Sequence, residues 1–254
     1  MTITFLGTGT SQGVPVIACD CAVCRSVDYR DNRSRTSLHI TTDDNQSIVF
    51  DTGPDFRTQI LRERITKLDA VIFTHEHKDH TAGLDDIRSF NFKQKTDMPV
   101  YARGQVIDQL KREFSYVFAE KKYPGVPRIL INEISNEPFM VGDSLVTPIE
   151  VIHYKLPVFG FRIKDFTYIT DANYIEPKEL EKIKGSKIIV LNALQKEPHI
   201  SHFTLDQAIE MVNIIGPEKA YFTHMSHKLG KHRDIEAELP ENIHLAHDGL
   251  KLHI

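Results

Sequence analysis

Four metal-binding side chains lie within six positions of one another in the segment FTHEHKDH, residues 73–80: His75, His77, Asp79 and His80. In an extended chain His75 and His77 point to the same side, because side chains alternate with a period of two. Asp79 and His80 follow where the chain turns toward the next helix. Two ligand pairs that leave one turn in different directions can serve two metal ions a few ångströms apart. Histidine and carboxylate ligands suit Zn, Mn or Fe, so they do not identify the metal.

The only three cysteines form a second cluster, Cys19, Cys21 and Cys24, in the segment ACDCAVCR. An odd number of cysteines in one short loop cannot pair into disulfides without leaving a thiol over. Structural zinc takes four Cys or His ligands in a tetrahedron, so this cluster is one ligand short and a histidine is the first candidate for the fourth. The alternative is that these loop cysteines share no role.

The His-x-His-x-Asp-His motif resembles that of the metallo-β-lactamase superfamily of metallohydrolases, and the resemblance covers nearly the whole sequence. It implies three further ligands, His153 in IEVIHY, Asp171 in TYITDAN and His224 in AYFTHMSH. Each of these follows an apolar strand directly. The resemblance assigns His75, His77 and His153 to one metal, assigns Asp79, His80 and His224 to the other, and makes Asp171 the bridging ligand.

Asp51 closes the apolar run SIVFD, at a position that in this superfamily supports the ligand histidines. A carboxylate there fixes the tautomer and orientation of a ligand through the free ring nitrogen. It can also cap the turn DTGPD, and both roles can hold together.

Three further stretches resemble the PhnP family, the cyclic-phosphate phosphodiesterases of bacterial phosphonate degradation: LGTGTSQGVPVIACDCAVC, SHFTLDQA and THMSHKLGKH. This resemblance implies a closed structural zinc site formed by Cys19, Cys21, Cys24 and His227. It also makes His202 the candidate general acid, with His199 as a rival. The alternative for His202 is a neutral position beside a helix capped by Thr204.

The order of the elements predicts the layers that must position these residues. Apolar or alternating runs typical of strands come early with few helices between them, and the later strands alternate with helical patterns. This order favours an α/β fold, a four-layer αββα sandwich of two mixed β-sheets, in a single hydrolase domain spanning residues 1–254. Near the end of the chain, Asp248-Gly249 between two apolar runs predicts a β-hairpin.

Composition narrows the functional classes. The formal net charge of -4 gives no general attraction to nucleic acid, so a nucleic-acid partner is disfavoured. The N-terminus lacks the features of a secretory signal, and no run approaches the ~20 apolar residues of a membrane span. We therefore expect a cytoplasmic protein without a membrane partner, and the resemblance implies a homodimer.

The resemblance implies a dinuclear-metal-dependent phosphodiesterase that hydrolyses a small cyclic phosphodiester by attack of a metal-bridging hydroxide, with His202 protonating the departing alkoxide or contacting a phosphoryl oxygen. We expect two divalent ions (Zn, Mn or Fe) in the active site and one structural Zn. A tRNA 3′-end-processing endoribonuclease shares the motif but needs a long basic arm, for which FAEKKYPGVPR is short. A glyoxalase II-like thioester hydrolase and a non-enzymatic binding module are the two remaining candidate functions.

Overall fold

The computed structural model describes all residues, 1–254, and contains fifteen strands and eight helices. The strands are β1 Thr2–Gly7, β2 Ser37–Thr41, β3 Ser47–Phe50, β4 Ala70–Ile72, β5 Met98–Ala102, β6 Ile129–Glu133, β7 Phe139–Val141, β8 Ser144–His153, β9 Leu156–Ile163, β10 Phe166–Tyr168, β11 Tyr174–Ile175, β12 Ile188–Asn192, β13 Lys219–Thr223, β14 Ile243–Leu245 and β15 Lys251–His253. The helices are α1 Phe56–Glu63, α2 Lys78–Thr81, α3 Arg88–Gln94, α4 Gly104–Glu113, α5 Ser115–Phe118, α6 Pro177–Ile183, α7 Leu205–Ile215 and α8 His232–Glu236. None of these helices has the length and apolar character needed to cross a bilayer.

The strands form two mixed sheets. The first has the order β15-β1-β2-β3-β4-β5-β6, and the second has the order β11-β8-β9-β10-β12-β13-β14, with β7 paired to β8. Strands β3 to β6 run parallel, as do β10, β12, β13 and β14, while antiparallel pairs join the remaining strands. Both sheets are therefore mixed, as the sequence predicts.

Alternation along the strands creates the four layers. In β3, Ile48 and Phe50 face the second sheet, whereas Val49 faces helices α1 and α3 to α5. In β12, Val190 faces the first sheet, while Ile189 and Leu191 pack against helices α6 to α8. Each sheet thus buries both faces, and the αββα prediction is confirmed.

The helix expected after Thr204 is confirmed as α7. Thr204 caps it, since its hydroxyl accepts the backbone N–H of Gln207 and the Gln207 side chain accepts the N–H of Thr204. This capping box satisfies two of the unpaired donors at a helix start. The helix ends at Gly216, whose φ of 67° suits a residue without Cβ.

The predicted hairpin at Asp248-Gly249 is wrong. Strand β14 pairs with β13 in the second sheet, whereas β15 pairs with β1 in the first sheet, so the turn connects the two sheets. Asp248 is drawn inward because it accepts hydrogen bonds from Thr8 and Ser34. Long-range polar contacts of this kind override the local turn preference.

Candidate metal centre

The motif FTHEHKDH leaves strand β4 and enters the one-turn helix α2, which begins after His77. Nε2 of His75 lies 3.0 Å from Nδ1 of His77. The ring of His153, at the end of β8, lies 5.6 Å from the ring of His75 and 5.1 Å from that of His77. These three histidines form one set whose potential ligand atoms all lie within 4.8 Å of one another.

Hydrogen bonds fix the tautomer of two of these histidines. The Thr74 hydroxyl donates its hydrogen to Oδ2 of Asp51 at 2.8 Å. In its 3.0 Å contact with His75 the hydroxyl must therefore be the acceptor, so Nδ1 of His75 carries the proton. Nδ1 of His153 donates to the carbonyl of Ser201 at 2.8 Å. Both rings therefore present an unprotonated Nε2, which is the lone pair a metal requires.

A second set consists of Asp79, His80 and His224. Nε2 of His80 lies 3.3 Å from Oδ2 of Asp79, and Nε2 of His224 lies 3.7 Å from the same oxygen. Nδ1 of His80 donates to Oδ2 of Asp51 at 2.7 Å, so Asp51 orients this ring as the sequence predicts of a supporting carboxylate.

Asp171 lies between the two sets. Its Oδ1 is 3.1 Å from Nε2 of His224, and its Oδ2 is 3.3 Å from Nε2 of His80. Asp171 also forms a ligand-capable set with His75 and His80. One carboxylate thus faces both groups of imidazoles, which is the position that a bridging ligand would occupy.

His202 lies against the same carboxylate. Its Nε2 donates to Oδ1 of Asp171 at 3.0 Å, and its ring stacks on that of His224 with centroids 4.8 Å apart. Burial lowers the pKa of His202 to about 4, against the opposing effect of the Asp171 hydrogen bond. His199 lies farther out, with its Nδ1 3.2 Å from the hydroxyl of Ser201, so His202 is the histidine that reaches the centre.

Buried nitrogen atoms without partners test whether these residues fit metal ions. Nε2 of His80 and both ring nitrogens of His224 are buried and form no hydrogen bond. An unpaired buried polar atom costs about 1–3 kcal/mol, and its presence calls for an explanation such as an ion. A cation between the two sets would give each of the Nε2 atoms a partner, so the residues fit.

The imidazoles and carboxylates at the centre shift one another's pKa values. Burial would raise the pKa of Asp171, but the imidazoles of His224 and His80 hold it well below its usual value. Burial would lower the pKa of His80, yet Asp79, Asp171 and Asp51 raise it well above its usual value. Asp79 and Asp171, whose pKa values are lowered, therefore remain anionic and favour a positive charge between them.

Backbone geometry at the centre includes features that no sequence pattern indicates. Asp51, Asp171 and His224 have φ angles of 63°, 54° and 54°, in the left-handed region that few residues other than glycine adopt. Gly53 lies so close to helix α2 that an added Cβ would stand 2.1 Å from the carbonyl oxygen of Asp79. Only glycine permits this approach.

The cysteine loop converges on His227. The Sγ atoms of Cys19, Cys21 and Cys24 lie 3.3, 3.4 and 3.5 Å from Nδ1 of His227. A tetrahedral zinc with Zn–S of about 2.3 Å and Zn–N of about 2.0 Å separates sulfur from nitrogen by about 3.5 Å, so the donor set fits zinc. The backbone N–H of Cys24 donates to the Cys21 sulfur at 3.4 Å and lowers the pKa of that thiol to about 6.

Arg33 supports the segment that carries His227, although no motif in the sequence indicates this role. Its fully buried guanidinium donates to the carbonyls of Ser226 and Gly230, at 3.0 and 2.9 Å, and to Asp31 at 3.0 Å. The segment between those two carbonyls carries His227. Arg33 also pairs its backbone with Val14, which precedes the cysteine loop, so one residue links the segment of His227 to the chain that leads into that loop.

Comparison with known proteins gives two kinds of match. Residues 46–225 match the beta-lactamase superfamily domain. The chain is 40% identical over 253 residues to an octanoyltransferase of Porphyromonas gingivalis, covering 99% of this chain but 51% of that protein. A ribonuclease Z of Listeria monocytogenes is 26% identical over 87% of this chain and 70% of its own. The chain thus spans about half the length of the octanoyltransferase.

Among solved structures, a diphosphatase from the PhnP family superimposes with a TM-score of 0.93 and 39% sequence identity. The match covers 100% of this chain and 97% of that one. With the domain match over most of the sequence, this similarity shows that the chain belongs to the metallo-β-lactamase superfamily of metal-dependent hydrolases and, within it, to the PhnP family.

Proposed function

We propose that the chain hydrolyses a small cyclic phosphodiester to a phosphomonoester. The observation that carries this proposal is the convergence of two ligand sets on Asp171, with His202 hydrogen-bonded to the same carboxylate. Two divalent ions would be held by His75, His77 and His153 on one side, by Asp79, His80 and His224 on the other, and by Asp171 between them. A structural Zn would be held by the three cysteines and His227.

The two ions, when bound, would lower the pKa of water and neutralise charge on the phosphoryl oxygens. The protein's own groups orient the reaction. Asp171 holds the Nε2 proton of His202 toward the centre, and the Ser201 hydroxyl lies 3.0 Å from the other ring nitrogen of His202. As an imidazolium, His202 would deliver its Nε2 proton to the departing alkoxide. As the neutral ring that its pKa of about 4 favours at neutral pH, it would instead donate a hydrogen bond from Nε2 to a phosphoryl oxygen.

A second candidate substrate is a diphosphate, because the PhnP-family relative of 39% identity is described as a diphosphatase. Hydrolysis of a diphosphate would use the same ligands and the same acid. Acyl transfer is not proposed, because the name octanoyltransferase describes a protein of which this chain matches only 51%.

We also do not propose tRNA processing, which would need a protruding basic arm. The segment between α5 and β6, residues 119–128, is the stretch that carries Lys121, Lys122 and Arg128. This segment is a short loop rather than a protruding arm. The likeness to ribonuclease Z therefore supports the fold and not the same substrate.

Hydrolysis assays separate these functions. Metal-stripped protein is reloaded with Zn, Mn or Fe and assayed with bis(p-nitrophenyl) phosphate, a dinucleoside diphosphate, S-lactoylglutathione and precursor tRNA. We expect turnover of the phosphodiester, with the diphosphate as the second candidate. Turnover confined to the thioester or to the tRNA would contradict the proposal.

A further inference from the structure

Two cavities open on the metal centre, on either side of the segment 199–202. The larger, about 440 Å³, reaches His77 and His153, and we call it the Tyr154 cavity; its outer wall is Tyr154, Lys155, Leu156 and Ile200. The smaller, about 220 Å³, reaches His202 and His224, and we call it the Lys228 cavity; its outer wall includes Ser11, Gln12, His199 and Lys228. A phosphorus atom at the centre could therefore carry one substituent into each cavity.

The Tyr154 cavity has an apolar outer wall. Tyr154 and Ile200 are large apolar side chains left 53% and 72% exposed beside a buried polar centre. The ammonium of Lys155 lies 5.3 Å from the centroid of the Tyr154 ring. Exposed aromatic and aliphatic side chains at the mouth of a site gain free energy by covering an apolar or planar group.

The Lys228 cavity has a polar wall that contains hydroxyl, amide, imidazole and ammonium groups. Lys228 is exposed and has no carboxylate within 4.0 Å, whereas Lys196, near the same wall, pairs with Glu238 at 2.6 Å. His199 and Lys228 line the same cavity. An ammonium without an internal partner can bind an anion at this wall.

We propose that the substrate is an unsymmetrical phosphate ester, whose apolar, planar substituent occupies the Tyr154 cavity and whose second anionic group is bound by Lys228. The proposal rests on the proposed function, since the scissile phosphorus is placed at the metal centre. It adds the substrate class, because a diester with two small neutral substituents would leave both walls unused. A phosphate or a carboxylate would serve equally as the second anion.

The reaction remains a simple hydrolysis. Water adds to phosphorus, one P–O ester bond breaks, and the departing oxygen takes up a proton. An open diester gives one alcohol or phenol and one phosphate monoester, whereas a cyclic diester gives a single product that carries both groups. Neither case needs an oxidant, a reductant or a further co-reactant.

The first experiment measures selectivity between two synthetic esters, methyl 4-nitrophenyl phosphate and 2-phosphonoethyl 4-nitrophenyl phosphate. They share the planar group and differ in the second anion. We expect wild-type protein to favour the phosphonoethyl ester, and Lys228→Met to reduce the ratio of the two kcat/KM values by about 10-fold or more, mainly through KM. Lys228→Arg should restore most of the ratio because it restores the charge.

Lys219→Met is the matched control, because Lys219 is also exposed and without a carboxylate partner but lies at the opposite end of β13 from His224. Its selectivity ratio should equal that of the wild type. Calorimetry gives a readout independent of turnover: 2-phosphonoethyl phosphate, the product, should bind more weakly to Lys228→Met than to Lys219→Met. An unchanged selectivity ratio and equal product binding in Lys228→Met would overturn the assignment of the anion.

The second experiment tests whether the two cavities act separately. Ile200→Ser should raise KM for both 4-nitrophenyl esters by a similar factor, since both place the same ring in the Tyr154 cavity. In the double variant with Lys228→Met the two effects should multiply, because side chains that share no contact act independently. Strong non-additivity would show that one cavity holds both substituents and would overturn the proposal.

The outcomes also distinguish this inference from the proposed function. If metal-loaded wild-type protein hydrolyses both esters with equal kcat/KM, phosphodiester hydrolysis stands and the cavity assignment alone fails. If it hydrolyses bis(p-nitrophenyl) phosphate but neither of these esters, this inference alone fails. If it hydrolyses none of the three, the proposed function fails and this inference fails with it.

Discussion

At the residue scale, individual residues of the metal centre adopt strained backbone conformations that direct their side chains toward the centre. Asp51 and His224 each follow the last residue of a strand, β3 and β13, and both adopt left-handed φ angles. A left-handed residue other than glycine costs about 1 kcal/mol or more. The strain turns each side chain away from the direction of its strand and toward the centre, and the hydrogen bonds of Asp51 to Thr74 and His80 keep it there.

His39 lies outside the metal centre and affects how the free energy of unfolding depends on pH. His39, in β2, is 7% exposed, and its Nε2 lies 2.8 Å from the hydroxyl of Ser47. That hydroxyl donates to the carbonyl of Lys67 at 2.7 Å, so it accepts from His39. Burial, with a smaller contribution from the charge of Lys251 and against that of Glu63, lowers the pKa of His39 to about 4. The folded protein therefore holds this imidazole neutral.

We predict that His39 reduces stability at acid pH. The unfolded chain binds a proton at this residue below pH ~6.5 and the folded chain only near pH 4, so stability falls as the pH drops through that window. The loss approaches roughly 3 kcal/mol at pH 4. Urea unfolding of His39→Gln from about pH 7 to about pH 4.5 should show a shallower decline than that of wild type, in matched metal-loaded samples. His253→Gln, at an exposed position in β15, is the control; equal slopes for all three proteins would contradict this account.

At the scale of elements, we expect the loop of Cys19 to Cys24 to contribute to stability and the loop of His202 to contribute to turnover. We predict that Cys21→Ser loses about one zinc per chain and lowers the thermal midpoint, because a structural zinc contributes directly to folding free energy. Folded protein should still hydrolyse a phosphodiester, since a fully coordinated ion offers no open position. Loss of turnover in a folded variant that keeps its other metals would assign the cysteines to the chemistry.

His202→Ala should behave in the opposite way. We predict unchanged metal content and a fall in turnover of ~10²-fold or more, the usual contribution of a positioned general acid. The set formed by His153, Asp171 and His202 gives His202 a competing role, because its ring could be a ligand. Metal analysis of His202→Ala decides the matter: loss of an ion would make His202 a ligand and not the acid.

The contacts of Arg33 make it a positioning residue for the zinc site. We predict that Arg33→Met destabilises the fold by roughly 3–5 kcal/mol, because it leaves Asp31 charged and unpaired in the interior. The segment that carries His227 would also lose its guanidinium donors, so zinc should be released to a chelator faster. Arg57→Met, at an exposed position in α1, is the control. Equal zinc retention in the two variants would show that Arg33 has no such role.

Local patterns in the sequence predict the elements whose causes are local. Helix α7 follows from its capping box and terminal glycine, and the ligands of FTHEHKDH follow from strand alternation and a short turn. Three strands are missed, β6, β7 and β11. Strands β7 and β11, three and two residues long, carry too little pattern. The Asp248-Gly249 turn is misjudged and Arg33 is overlooked because the side-chain partners of Asp248 and the Ser226 and Gly230 carbonyls bound by Arg33 lie 186 to 240 positions away in the chain. Contacts at such distances leave no periodic signal.

At the scale of the whole molecule, the metal centre lies where the two sheets meet at one edge. Asp51 and the motif residues from His75 to His80 leave strands of the first sheet, whereas His153, Asp171 and His224 leave strands of the second. The interior between the sheets is apolar along the rest of its length. Metal ions at this edge would therefore join two sheets that otherwise contact each other through apolar packing.

We predict that metal-replete protein carries three ions per chain and that the two at the centre stabilise the whole sandwich. A ligand that binds only the folded state at about 1,000 times its Kd adds about 4 kcal/mol, so chelation should lower the thermal midpoint markedly. Asp171→Asn should lose metal at the centre and keep the zinc, since Asp171 contacts neither the cysteines nor His227. Mass spectrometry for metals, combined with thermal unfolding of wild type, Asp171→Asn and Cys21→Ser, measures both quantities. If wild type and its chelated form unfold at the same temperature, or if Asp171→Asn retains all three ions, the centre does not join the sheets in this way.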